Sequence, residues 1–290
     1  MPLRRIHTSL SRHLAILGSA IAMAGALTAC SDIDETERII PAPDFTPQRS
    51  VLVEDFTGQK CVNCPNAHEL IDSLKSQSFG SAIIPVSIHG GSFALNTAAA
   101  TTLGTDAGDA YVSSLGVEAF PSCRVNMRSD IIGNLGQWTG AILNELLRAP
   151  QINFADEAAA ATIGADGSLS INVKLNLLAT STTSAADLAN ARLALWLVED
   201  NVTAMQFLPS GGVTGTYVHN NVLRTALTTD ITGDDINIDS ADDSTAFTHT
   251  FTVGTDVKIV NMANLRIVAF VNTPTDGVLN ATQFPVEITE

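Results

Sequence analysis

The sequence predicts two folded parts, an α/β domain followed by an all-β domain. Three observations carry this. Between residues 50 and 150, apolar runs of strand length alternate with stretches of helical periodicity. After Pro150 strict period-two alternation sets in, as in Ser168-Leu169-Ser170-Ile171-Asn172-Val173-Lys174-Leu175. The junction Arg148-Ala149-Pro150 closes a helical stripe, because a proline drives the residue before it out of the α region. A chain of 290 residues, 45% of them apolar, is long enough for two such parts.

Arg4, Arg5 and Arg12 make a basic start, and residues 14–27 are apolar and small. That stretch is about the length of a signal-peptide core and too short and too rich in Ala and Gly for a membrane span. Leu27-Thr28-Ala29-Cys30 resembles a bacterial lipobox. The resemblance implies removal of residues 1–29 and acylation of Cys30, the other reading being an ordinary secretory signal. Several acyl chains together hold a protein durably to a bilayer, where one does not. Ser31-Asp32-Ile33-Asp34-Glu35 resembles the surface-export signal of lipoproteins of the Bacteroides group, with a solvated tether as the alternative. Pro41, Pro43 and Pro47 make residues 30–49 an extended, lipid-anchored linker.

Within the α/β part, residues 51–56 form an apolar run ended by Thr57-Gly58, a buried strand and turn. Ala67, Leu70, Ile71 and Leu74 lie on one helical stripe that Phe79-Gly80 ends. Residues 82–89 read as a second strand and 90–108 as an irregular insertion. A short helix over 109–115 stops at Gly116. Residues 120–127 lead into a third strand. Residues 130–147 include a helix with Trp138, Ile142, Leu143, Leu146 and Leu147 on its apolar face. Residues 50–150 are the α/β domain. In residues 151–290, strands are expected over 168–177, 191–198, 247–253 and 265–271, with turns at Asp166-Gly167 and Asp276-Gly277. Strands, polar turns and little helical pattern point to an immunoglobulin-like β-sandwich without its cysteine pair, since no Cys follows Cys123.

The sharpest chemical signal is Cys61-Val62-Asn63-Cys64 at the end of a strand and the start of a helix. Unpaired N–H groups and the positive end of the helix dipole stabilise a thiolate there, and the next turn brings the second Cys within reach. Asp55, six residues before Cys61, and Phe120-Pro121-Ser122, before the third strand, complete a pattern that resembles thioredoxin-like proteins. That resemblance implies that Cys61 attacks, Cys64 resolves, Asp55 handles the proton and Pro121, in a cis-proline loop, faces the dithiol. Lys60, Val62-Asn63 and Pro65 depart from ordinary thioredoxin and leave the reduction potential open. Lys60 is placed to lower the Cys61 pKa by Coulomb attraction. Cys123, two residues after Pro121, is either a third redox thiol or a small buried hydrophobe, and the second reading is preferred.

Val53-Glu54-Asp55-Phe56-Thr57-Gly58 with Cys61 and Cys64, Ile88-His89, the stretch 111–126 and Tyr217-Val218-His219-Asn220-Asn221-Val222-Leu223-Arg224 resemble the outer membrane protein 28 family. The resemblance implies an outer-membrane, lipid-anchored location and a thioredoxin-like domain with a following β-domain. It does not define a biochemical role.

A net charge of −15 argues against nucleic acid and against charge-driven membrane binding. Cys-X-X-Cys followed by Pro65 excludes c-type haem attachment. Zinc on Cys61, Cys64 and His68 or His89 lacks a clear fourth ligand, so neither metal nor cofactor is expected. His219 reads as a polar loop residue. Asp230, Asp234, Asp235, Asp239, Asp242 and Asp243 lack EF-hand spacing and read as a solvated loop. Two functions stay open: a binding or accessory envelope lipoprotein with a redox-capable dithiol, acting on an extracellular ligand, or an active thiol–disulfide oxidoreductase with protein thiol substrates.

Overall fold

The computed structural model describes residues 46–95, 101–238 and 244–289. Cys30, the signal and lipobox residues, most of the linker, and Asp239, Asp242 and Asp243 lie outside the described residues. The protein is mostly β-sheet, with few helices.

Strand β1 (Val51–Thr57) is buried along its whole length and pairs in parallel with β2 (Ile83–His89) and antiparallel with β3 (Ser122–Val125). A continuous apolar run is what a strand covered on both faces requires. Helix α1 (Cys64–Lys75) starts at the second cysteine of the motif, with Pro65 in its first turn, where a missing N–H costs nothing. It buries Ala67, Ile71 and Leu74 of the predicted stripe and leaves Leu70 half-buried. Helix α2 (Asp106–Ser114) is capped by the Thr105 hydroxyl, which accepts from Gly108 N, and carries Asp106 and Asp109 in its first turn, a favourable match to the dipole. Helix α3 (Trp138–Leu146) buries Trp138, Ile142 and Leu146.

The later strands are β4 (Ile152–Ile163), β5 (Leu169–Ala179), β6 (Arg192–Glu199), β7 (Val202–Phe207), β8 (Val213–His219), β9 (Val222–Ala226), β10 (Asp234–Asp235), β11 (Ser244–Val253), β12 (Leu265–Thr273) and β13 (Gly277–Thr289). One short helix, α4 (Ala185–Ala189), precedes β6 behind a Ser184–Asp187 capping box. Hydrogen bonding runs without a break in the order β11-β5-β4-β13-β12-β6-β9-β2-β1-β3, with β10 beside β6, while β7 and β8 form a separate hairpin. The long β13 changes partner along its length: residues 277–285 pair antiparallel with β12, and Val286–Thr289 pair in parallel with β4.

Two cores flank β6 and β12. Leu193, Leu195, Leu197, Ile267 and Ala269 pack with Ile171, Val173, Leu175 and Leu177 of β5. The alternate residues Ala194, Trp196, Val198, Val268 and Phe270 pack with Leu52, Phe56, Ile84, Val86, Ile88, Tyr111 and Val112. Trp196 and Phe270 meet edge-to-face at 4.8 Å, an arrangement worth about 1 kcal/mol beyond area burial, and Trp196 Nε1 donates to Ile231 O at 2.7 Å. The core thus crosses residue 150, and residues 46–290 form one compact unit.

Candidate functional site

Cys61 and Cys64 are joined by a disulfide with a Cα–Cα distance of 5.4 Å, and both are buried. The loop from β1 folds tightly before α1, with Cys61 N donating to Gly58 O and Cys64 N to Cys61 O. Gly58 has no room for a side chain, since a Cβ there would lie 2.5 Å from Phe93 O. The Lys60 ammonium donates to Ser92 O at 3.1 Å.

The β7–β8 hairpin, some 145 residues further along the chain, covers this loop. Gln206 Nε2 donates to Cys61 O at 2.9 Å, and Phe207 N donates to Gln59 O. The Gln59 amide in turn donates to Met205 O and accepts from Leu103 N. The Gln59 amide, bonded at both its oxygen and its nitrogen, and the Gln206 nitrogen fix the hairpin over the disulfide, because breaking such a buried bond leaves a polar group unmatched at roughly 1–3 kcal/mol, while Gln206 Oε1 has no partner among the described residues.

Asp55 is fully buried on β1. Its Oδ2 accepts from Ser87 Oγ at 3.0 Å and lies 3.4 Å from His68 Nε2, while Oδ1 has no hydrogen-bond partner among the described residues. His68 follows Cys64 by one helical turn, a spacing that puts both on one face of α1. Its Nε2 is also 3.2 Å from Thr57 Oγ1, and its Nδ1 is 2.9 Å from the Tyr217 hydroxyl of β8. Burial, with nearby Asp72, Glu69 and Asp55, pushes the Tyr217 phenol up to about 12.

His219 is no loop residue: it ends β8 and is 2% exposed, with its ring 5.4 Å from that of His89 at the end of β2. Hairpin packing onto the first part of the chain buries a side chain whose local sequence is polar. Burial, with His68 as the next cause, lowers His219 to about 3; burial and His219 hold His89 well below the usual imidazole range. Among the described residues no three His, Cys, Asp or Glu side chains are grouped to hold a metal, and the two sulfurs are bonded to each other.

Cys123 is buried and free, directly across the β1–β3 ladder from Asp55. Burial, with Asp55 and Glu54 adding, pushes its thiol far up, so it stays protonated. Pro121 follows a cis peptide bond after Phe120, whose ring lies 5.1 Å from Phe93. Of the predicted site residues, β1, β3 and the start of α1 bring Asp55, Cys61, Cys64 and Cys123 into adjacent elements. Asp230 and Asp235 pair with Arg192, and Asp234 accepts from Thr229 N.

Sequence reasoning missed Gln206, which bonds to the Cys61 carbonyl, and Tyr217 and His219, which meet His68. The stretch 217–224 was already set apart by its family resemblance, and that was the available signal.

A family profile described as outer membrane protein Omp28 matches residues 108–290. The chain belongs to the Omp28 family. Membership gives it a cell-envelope role, association with the membrane and a location at the outer membrane. Among solved structures this Omp28 chain is similar to HBP35 of Porphyromonas gingivalis, with a TM-score of 0.63 at 16% identity over 83% of this chain and 77% of that one. That likeness speaks for fold alone. A domain of the outer membrane lipoprotein Omp28 from Porphyromonas gingivalis aligns at 18% identity, covering 49% of this chain and 93% of that one, with a TM-score of 0.32. No curated protein matches the chain.

Proposed function

We propose that this Omp28 protein is an accessory lipoprotein of the outer membrane, anchored through Cys30. A thioredoxin-like segment over residues 50–150 holds a redox-capable Cys61–Cys64 pair, and an immunoglobulin-like segment over 151–290 offers the binding surface for an extracellular ligand. The observation that carries this reading is the seating of the pair. The disulfide sits at the start of α1, behind a buried Asp on the preceding strand, and is covered by a hairpin from the other half of the chain. Supporting it are the order β1-α1-β2-α2-β3-α3 and the parallel pairing of β1 with β2. Reactive cysteines are normally part-exposed, so a covered pair speaks for an accessory or gated role over constant turnover.

The second reading, an envelope thiol–disulfide oxidoreductase acting on protein thiols, is favoured by the contacts from Asp55 through His68 to Tyr217. There Cys61 attacks, Cys64 resolves, Asp55 takes the proton and Pro121 shapes the substrate groove.

The test is the reduction potential of the pair in the full chain, read by mass-resolved alkylation across a glutathione series. A value of about −270 to −120 mV marks a pair poised for exchange. A value below about −300 mV marks a permanent disulfide, ends the redox part of the proposal and leaves the β-segment as the source of function.

A further inference from the structure

We propose that His68 and Tyr217 form a proton relay that connects Asp55, and through it the Cys64 sulfur, to solvent. The inference rests on the redox-capable reading of the Cys61–Cys64 pair and adds two residues to it.

Asp55 is sealed inside the protein, and a buried acid that must exchange a proton needs a path to water. Only groups that both accept and donate can build one, and the structure supplies two in series. The two nitrogens of one imidazole touch opposite partners: Nε2 is 3.4 Å from Asp55 Oδ2, and Nδ1 is 2.9 Å from the Tyr217 hydroxyl. His68 is 16% exposed and Tyr217 is half-buried, so the path ends at the surface. It ends at a cavity of about 30 Å³ bordered by His68, Tyr217, Asp72 and Asn220, polar and large enough for a water molecule. Thr57 Oγ1 holds Nε2 on the Asp55 side.

The groups facing His68 are Asp55 on β1, His89 on β2, Tyr217 and His219 on β8, and Asp72 one turn along its own helix, while Glu69 and Asp72 both act on Tyr217. His89 and His219 are buried and held neutral, so neither takes up a second ring proton near neutral pH. His68 is the imidazole that touches both Asp55 and the Tyr217 hydroxyl, so the relay runs through it and on to Tyr217.

The chemical step balances as follows. A substrate thiolate attacks Cys61 Sγ, and a mixed disulfide forms as the Cys61–Cys64 bond breaks. Cys64 Sγ leaves with the electron pair and takes a proton from Asp55. His68 returns a proton to Asp55 and is itself resupplied through the Tyr217 hydroxyl from water. A second substrate thiolate then attacks the substrate sulfur and releases Cys61. A dithiol is oxidised and the protein disulfide is reduced.

The test is stopped-flow reduction of the disulfide in the full chain by dithiothreitol between pH 5 and 9, with oxidised glutathione as the reference disulfide. His68→Gln keeps a donor and an acceptor but cannot pass a proton. It is expected to slow the reaction on the order of tenfold or more and to flatten its pH profile, while the exchange equilibrium with glutathione stays unchanged. Free imidazole is expected to restore the rate of His68→Ala. Tyr217→Phe, which keeps the packing, is expected to slow the reaction in the same direction. Equal rates for wild type, His68→Gln and Tyr217→Phe overturn the relay and leave the redox reading standing. Rate and equilibrium shifting together in proportion also overturn it, because His68 would then only set the electrostatics of the pair. A wild-type disulfide reduced no faster than the glutathione reference sinks both the relay and the redox reading.

Discussion

The Tyr111 hydroxyl donates a 2.5 Å hydrogen bond to Glu54 Oε1, tying α2 to β1 inside the core that Trp196 and Phe270 complete. Glu54 is fully buried, and burial pushes its carboxyl up to about 7 against the opposing pull of Arg124, 4.0 Å away. In the folded state it holds its proton up to that pH, whereas the unfolded chain releases it near 4.5. Its contribution is complete below pH 4.5 and is lost as pH rises through 7, about 3 kcal/mol in all. Glu54→Gln mimics the protonated acid. It is expected to leave the guanidinium midpoint nearly unchanged at pH 5 and to raise it at pH 8.

His219 has the opposite sign. Its folded pKa of about 3 lies below the unfolded 6.5, so the folded protein refuses a proton that the unfolded chain accepts. Stability is lost as pH falls below 6.5, by about 2 kcal/mol at pH 5 from this residue alone, and His89 adds in the same direction. His219→Gln is expected to shrink the difference between denaturant midpoints at pH 7 and pH 5.

Cys123 is expected to resist alkylation in the native protein. Its thiol is buried and held protonated, and the thiolate is the reactive form. After gentle reduction, iodoacetamide should add first to Cys61, the one of the three with any exposed surface, and to Cys123 only once denaturant is present. Mass spectrometry of the intact chain counts the adducts. Rapid native labelling of Cys123 would revive its reading as a third redox thiol.

Gly277 has φ +59°, and a Cβ there would lie 2.5 Å from Asn126 O, next to the hydrogen bond from Val278 N to that same carbonyl. Gly277→Ala combines backbone strain with a clash at a junction between the two parts of the chain. It is expected to cost about 1–3 kcal/mol, seen as a lower Tm.

Local patterns were enough for the elements whose burial is regular. β5 alternates because one face meets the core, and β6 reads as a solid apolar run because it is buried on both. β4 escaped notice because Ala158, Ala159, Ala160 and Ala161 favour a helix as readily as a strand, and because the ladder slips between Ala155 and Ala158, where Asp156 takes φ +54°. Its strand state is imposed by β5 on one side and β13 on the other. In the candidate site, Asp55, Cys61 and Cys64 were legible because ten residues hold all three. His68 was visible only as a metal ligand to be weighed. Its partner Tyr217 lies 149 residues away, and no short-range period encodes such a contact.

The unbroken hydrogen-bonded path from β11 to β3 has a bearing on how the molecule is to be dissected. A fragment ending at Pro150 would strip Trp196 and Phe270 from the face of Ile84, Val86 and Ile88, and would remove the strand beside β2 at Ser87. What remained would be an adhesive edge and a bare apolar surface, prone to clump. Point substitutions in the intact chain, rather than truncations, are therefore the instrument that can assign its work to one half or the other.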